Sequence, residues 1–274
     1  MAYKTILVHA QGDASAAPRL ETAAQLARDQ GAVLFGLGAE MIQPLAVADP
    51  YGVMEAQWLV SMREMVEDNL KAAEKAFMAH SEGQAREWRA ATDLPVHAMA
   101  RASRSADLIV AGGAPLAHRD VYRVADPGEL VVTSGRPVLV APPTGGRLKA
   151  AKVVVAWKDT REARRALSDA LPFLQAAQEV VVAALCEKDG VEAAEFQTSD
   201  VIKSLERHGV KATAKVSVTP DPAVADELNN IAAAIGADLI VSGGYGHSRL
   251  NEWVFGGVTR NLLLNPQRFV LLSH

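Results

Sequence analysis

Residues 106–113 read Ala-Asp-Leu-Ile-Val-Ala-Gly-Gly, and residues 237–244 read Ala-Asp-Leu-Ile-Val-Ser-Gly-Gly. Around this stretch, two further pairs of apolar segments recur in the same order, 4–8 with 152–155 and 136–140 with 268–272. Three segments repeated in order at a nearly constant separation indicate a duplicated domain. The repeat predicts that the chain consists of two similar domains.

The stretch 144–149 is the natural boundary between the two copies. It is polar, contains two glycines and follows two prolines, a composition typical of a linker. The sequence therefore predicts an N-terminal domain over residues 1–145 and a C-terminal domain over residues 151–274. Each is long enough to build its own hydrophobic core.

Within each copy, short apolar runs alternate with longer segments whose apolar residues recur at helical spacing. The runs 5–10 and 153–157 suit strands that are buried on both faces. Leu20, Ala23 and Ala27 then recur at the spacing of one helix face. Alternating strands and helices predict α/β domains, each a doubly wound parallel sheet with helices on both faces.

Composition excludes several classes of protein. The net charge of −4 and the pI near 6.0 argue against a nucleic-acid-binding protein. A single cysteine excludes an internal disulfide, and the seven histidines lack metal-site spacing, so we expect no metal centre. The sequence shows neither a membrane-length apolar stretch nor a signal peptide, so we expect a cytoplasmic protein without membrane partners.

A glycine-containing loop follows the repeated strand in the second copy. Gly243, Gly246 and Gly256 form a Gly-x2-Gly-x9-Gly pattern, and a predicted helix then opens with Gly257, Val258 and Thr259. Ligands of open α/β sheets bind beyond the carboxyl ends of the strands, where glycines allow close approach and a helix N-terminus favours phosphate. His247 lies inside this loop and can contact a phosphate or a partner, although an ordinary loop role is the commoner one.

The order of elements, the closing strand and this loop resemble the universal stress protein family over nearly the whole chain. The resemblance implies two five-stranded domains of the adenine nucleotide alpha hydrolase-like fold, packed through their last strands as an internal pseudo-dimer. One subfamily binds ATP at this loop. The resemblance therefore implies an adenine nucleotide, ATP with Mg²⁺, held by the C-terminal domain.

The resemblance also assigns residues to the nucleotide, with departures from the family pattern. The family motif ends in Gly-Ser or Gly-Thr, whereas Gly257 follows Gly256 here and Thr259 would partly substitute. An aspartate near the base and ribose is replaced by Lys158. Backbone groups that hold the adenine map near Leu185. Trp157, just before Lys158, could stack on a base or pack in the core.

The first copy departs further from the motif. Pro115 replaces the second glycine, Ala125 replaces the third, and Asp126 follows. Proline lacks an N–H donor and a carboxylate repels phosphate. We therefore expect the N-terminal domain not to bind nucleotide through this loop.

Two functional hypotheses follow, and a third is weaker. The first is a stress-response sensor or adaptor that binds an adenine nucleotide in its C-terminal domain. The second is a protein-interaction module of the same fold that has lost nucleotide binding. The third is a slow ATPase or a small-molecule hydrolase, although no residue stands out as a catalytic base. Protein partners and further pairing into a homodimer remain open at this stage.

Overall fold

The computed structural model describes residues 2–10, 16–44, 53–113, 120–220, 223–244, 257–264 and 266–274. The strands of the N-terminal half are β1 (Thr5–His9), β2 (Val33–Ala39), β3 (Arg86–Ala91), β4 (Leu108–Gly112) and β5 (Val138–Ala141). Its helices are α1 (Ala16–Gln30), α2 (Val53–His80), α3 (Pro95–Ala102) and α4 (Pro127–Thr133).

The C-terminal half repeats this order with one additional helix break. Its strands are β6 (Lys152–Trp157), β7 (Glu179–Cys186), β8 (Ala212–Val218), β9 (Leu239–Gly243) and β10 (Phe269–Ser273). Its helices are α5 (Arg161–Asp169), α6 (Leu171–Ala176), α7 (Val191–Arg207), α8 (Val224–Ile235) and α9 (Gly257–Leu264). The predicted alternation of strands and helices is confirmed in both halves.

The ten strands found in the described residues belong to one sheet, in the order β3-β2-β1-β4-β5-β10-β9-β6-β7-β8. Neighbouring strands within each half are parallel, whereas β5 and β10 pair antiparallel, with Val140 opposite Val270 and Val138 opposite Leu272. The two halves therefore join through their last strands. This arrangement confirms the predicted internal pseudo-dimer.

Two hydrophobic cores cover the two faces of the sheet. One core contains residues of α1, α2, α5 and α7, including Phe77 and Leu205. The other contains residues of α3, α4, α8 and α9, including Met99 and Leu228. Because strand residues point alternately to the two faces, continuous apolar runs are needed to fill both cores.

The aspartate of the repeated Ala-Asp-Leu-Ile-Val segment has the same structural role in both halves. One carboxylate oxygen of Asp107 accepts hydrogen bonds from the backbone N–H groups of residues 4 and 5, at 2.7 and 3.0 Å. The corresponding oxygen of Asp238 accepts them from residues 149 and 150, at 2.8 and 3.2 Å. Each aspartate thus fixes the chain where it enters the first strand of its half.

This role predicts the effect of removing each aspartate. Asp107→Ala and Asp238→Ala should each lower the free energy of unfolding by about 1–3 kcal/mol, because two backbone N–H groups lose their acceptor. Asp200→Ala is the matched control, since Asp200 lies in an exposed pair with Lys203 and should change stability little. Urea denaturation measures all three variants, and equal stability of the repeat variants and the control would contradict the assigned role.

Candidate functional site

The strand order defines a crevice at the carboxyl end of the C-terminal half. β6 lies beside β9, yet the helices that follow them pack on opposite faces: Ala163 of α5 belongs to one core and Leu262 of α9 to the other. Open α/β sheets bind ligands at the carboxyl ends of two neighbouring strands whose following helices lie on opposite faces of the sheet. The candidate site is therefore the edge between the β6–α5 connection and the segment after β9.

The β6–α5 connection forms the first wall. Lys158 is exposed directly after β6, and within the described part of the chain no carboxylate forms an ion pair with it. Its carbonyl oxygen accepts the backbone N–H of Thr160 at 2.7 Å. The Thr160 hydroxyl caps α5 by accepting the backbone N–H of Ala163 at 3.2 Å. This cap holds the loop so that Lys158 stands at the edge of the crevice.

Two predicted site residues lie on strands adjacent to β6. Gly243 ends β9, whose Ser242 pairs with Ala156 of β6. Leu185 lies on β7, one residue beyond the pairing of Ala184 with Trp157, and is half-buried. The structure therefore brings Lys158, Gly243 and Leu185 to neighbouring positions at one edge of the sheet.

The two glycines that end β9 are in close contact with other parts of the protein. A Cβ atom at Gly243 would lie 2.6 Å from the backbone nitrogen of Ala163 and 2.8 Å from the carbonyl carbon of Glu162. A Cβ atom at Gly244 would lie 2.7 Å from a methyl carbon of Val131. Close packing therefore accounts for glycine at both positions, independently of any ligand.

The remaining predicted residues belong to the segment that leads into α9. Gly257, Val258 and Thr259 form the first turn of this helix. Val258 is half-buried against one core, and Thr259 is only 6% exposed, which leaves little of its side chain open to a ligand. Gly246, His247 and Gly256 lie outside the described residues.

Trp157 belongs to the hydrophobic core and is 8% exposed. It therefore has no free ring face on which a base could stack. Its indole nitrogen is buried without a hydrogen-bond partner in the described structure.

Sequence reasoning missed a charged cluster at the start of α5. Glu162 is buried, and its carboxylate accepts a hydrogen bond from Nε of Arg161 at 2.8 Å. Burial on its own would raise the pKa of the Glu162 carboxyl group. The hydrogen bonds that this group accepts from its own backbone N–H, from Arg161 and from Thr160 outweigh that effect, so its pKa lies below the usual value. The sequence Thr160-Arg161-Glu162 after the strand was the available signal, since it places polar groups on the first helical turn.

At the corresponding edge of the N-terminal half, residues 120–123 lie against the end of β2. The backbone N–H of Met41, just beyond β2, donates to the carbonyl of Tyr122 at 2.8 Å. The buried carboxylate of Glu40 pairs with Arg123 at 3.3 Å. The Asp126 carboxylate accepts the backbone N–H of Glu129 at 3.0 Å, so the N-terminus of α4 already carries an anion.

Two further classes of function find no support in the described residues. No cluster of three or more histidine, cysteine, aspartate or glutamate residues there could hold a metal ion. Among the helices described, none combines the length and apolar character needed to cross a membrane.

The lowered pKa of Glu162 predicts a pH-dependent contribution to stability. The ionised carboxylate should stabilise the fold at neutral pH, and this contribution should disappear as pH falls through the folded-state pKa. Glu162→Gln should therefore be less stable than the wild type at pH 7, and the difference should shrink below about pH 4. Denaturation at pH 7 and pH 3.5 tests this, with Glu195→Gln, at an exposed position of α7, as the control. A difference that does not change with pH would contradict the prediction.

Comparison with known proteins identifies the fold. No protein-family model matches the chain, and no curated protein matches it. A universal stress protein from Archaeoglobus fulgidus DSM 4304 matches with a TM-score of 0.68 at 15% identity, covering 98% of this chain and 97% of that one. PA1789, a functionally unknown protein from Pseudomonas aeruginosa PAO1, matches with a TM-score of 0.56 at 16% identity, covering 99% and 92%.

A shorter structure covers half of the chain. It is the universal stress protein from Archaeoglobus fulgidus in complex with dAMP, with 19% identity and a TM-score of 0.31, and it covers 51% of this chain and 98% of that one. The full-length matches, together with the ten-stranded sheet, show that the chain has the tandem fold of the universal stress proteins.

Proposed function

We propose that this protein is a cytoplasmic universal stress protein, with domains at 1–145 and 151–274, that senses or transmits stress by binding an adenine nucleotide. The proposed ligand is ATP with Mg²⁺, bound at the C-terminal crevice. The observation that carries the proposal is the difference between the two halves. The C-terminal edge presents an exposed lysine, whereas the N-terminal edge is engaged by its own segment 120–123.

The charges around the C-terminal crevice suit a phosphate group. Lys158 is exposed on one wall, directly after β6. In this proposal the phosphate lies at the N-terminus of α9, because the free N–H groups and the dipole at the start of a helix favour an anion. The positive end of α5 is already neutralised by Glu162, which leaves α9 as the helix that can receive phosphate.

The N-terminal half offers an anion no comparable position. Asp126 caps α4, and the Met41 backbone N–H, at the end of β2, already donates to Tyr122. A nucleotide would have to displace both the backbone hydrogen bond and the ion pair of Glu40 with Arg123. We therefore propose one nucleotide site for each chain.

Calorimetric titration of the nucleotide-free chain with Mg-ATP tests the proposal. We expect one site, and we expect Lys158→Ala to weaken binding by about 10- to 100-fold, as for loss of one charge-assisted contact. Lys203→Ala is the matched control, because Lys203 is an exposed lysine on α7. Two sites would contradict the assignment of the N-terminal half.

A second variant tests the glycine loop directly. Gly246→Val should abolish measurable ATP binding, because a branched side chain would block close approach of phosphate to the backbone. Thermal unfolding of the variant provides the control for folding. Wild-type affinity in a folded Gly246→Val protein would refute the assignment of this loop.

A protein-interaction module is the second candidate, and exposed apolar side chains on α2 favour it. The helix α2 is much longer than the strand β2: its 28 residues span about 42 Å, whereas the seven residues of β2 span about 23 Å. Leu59, Val60 and Met65 in its first half are 39%, 58% and 41% exposed. Absence of binding at millimolar Mg-ATP would favour this candidate over the nucleotide sensor.

A further inference from the structure

We propose that His274 and Arg161 are positioning residues that hold the start of the nucleotide-binding segment in the C-terminal half. The proposal rests on the nucleotide site proposed above, and it assigns function to two residues outside the glycine motif. Both lie at the carboxyl edge of the sheet, His274 just after β10 and Arg161 at the first position of α5.

His274 forms hydrogen bonds through both ring nitrogens. Its Nδ1 lies 3.1 Å from the carbonyl oxygen of Gly244, and its Nε2 lies 3.2 Å from Nη2 of Arg161. A guanidinium group can only donate, so Nε2 of His274 must accept from Arg161. Nδ1 therefore carries the proton and donates it to Gly244. One neutral tautomer satisfies both contacts.

Each end of this chain of hydrogen bonds is itself fixed. Nε of Arg161 donates to the buried carboxylate of Glu162 at 2.8 Å, which holds the guanidinium against α5. The backbone N–H of Gly244 donates to the carbonyl of Ser273 at 2.8 Å. Both backbone polar groups of Gly244 are therefore bound by the end of β10. The network connects the β6–α5 wall of the crevice to the residue at which the second wall begins.

The N-terminal half shows that the fold does not need this anchor. Gly113 keeps the backbone hydrogen bond, donating to the carbonyl of Ala141 at 3.1 Å. The residue after β5 is Pro142, whose side chain has no donor. Among the described residues, the histidine anchor thus occurs in the half that keeps the glycine motif and not in the other half.

An anchored Gly244 should strengthen ligand binding. A segment whose first residue is already fixed loses less conformational entropy when it binds phosphate, so more of the contact energy appears as affinity. The anchor should therefore affect the nucleotide dissociation constant more than it affects folding.

The tautomer of His274 provides a test that needs no nucleotide. We expect two-bond ¹H–¹⁵N NMR of the ligand-free full chain to show His274 as the Nδ1–H tautomer, with His274→Asn used to assign its signals. Arg161→Gln should remove this preference, because the donor to Nε2 is repositioned. A dominant Nε2–H tautomer in the wild type would overturn the proposal.

Affinity then separates a positioning role from a merely structural one. His274→Ala should weaken Mg-ATP binding by about 3- to 10-fold, the range for one lost hydrogen bond, with an unchanged melting temperature. His274→Asn, whose amide can donate to Gly244, should recover much of the affinity, and His208→Ala on the surface should behave as the wild type. The Arg161→Gln and His274→Ala effects should not be additive.

The outcomes distinguish this inference from the proposed function. Wild-type affinity in His274→Ala, with the Nδ1–H tautomer present in the parent, would overturn the positioning role and leave the nucleotide site intact. A wild-type chain that binds no Mg-ATP would refute the nucleotide site, and the positioning role with it, whatever tautomer the NMR experiment shows.

Discussion

The antiparallel pairing of β5 with β10 is the interaction on which the rest of the structure depends. Every residue of both strands is buried. Either half alone would expose one such strand as an apolar sheet edge with unpaired backbone groups, which is a template for aggregation. When the two edge strands pair, neither leaves an apolar edge exposed, and the two five-stranded sheets become one. It also fixes the pseudo-twofold relation, so that the carboxyl ends of the two halves lie at opposite edges.

This relation explains the glycines that follow β4 and β9. A Cβ atom at Gly113 would clash with a ring carbon of Pro266, in the other half, and a Cβ atom at Gly244 would clash with Val131 in the same way. Each half thus places a side chain against the glycine of its partner half. The sequence predicts a ligand loop from only the first glycine of the second pair, Gly243. In the structure, the second glycine of each pair lies at the junction between the halves.

The sequence predicted the elements whose apolar pattern is periodic and failed where tertiary contacts decide. The apolar runs 5–10 and 153–157, predicted as buried strands, form β1 and β6. The edge strand β3 was missed because its charged residues, including Arg86 and Arg89, are exposed and give no apolar run. Helical spacing does not mark the break between α5 and α6, because alanines continue across it while Pro172 begins a new first turn.

The sequence indicates where the candidate site lies in the fold but not which contacts form it, for a similar reason. Glycine spacing and the order of strands place the crevice, and they correctly bring Lys158 and Gly243 to one edge. The contact of His274 with Arg161 joins residues far apart in sequence and exists only because β10 lies beside β9. No local pattern encodes such a contact. The buried charge of Glu162 is equally invisible, since its burial depends on how closely α5 approaches Gly243.

The N-terminal half therefore contributes to the geometry of the proposed C-terminal site. Val131, on α4, packs against the position at which the second wall of the crevice begins, while Ser273 and His274 hold that position from the other side. A cavity at Val131 would loosen Gly244 across the junction between the halves. Closely packed interiors transmit such displacements. The N-terminal half, whose own carboxyl edge is occupied by residues 120–123, can therefore still affect the position of Gly244 in the C-terminal half.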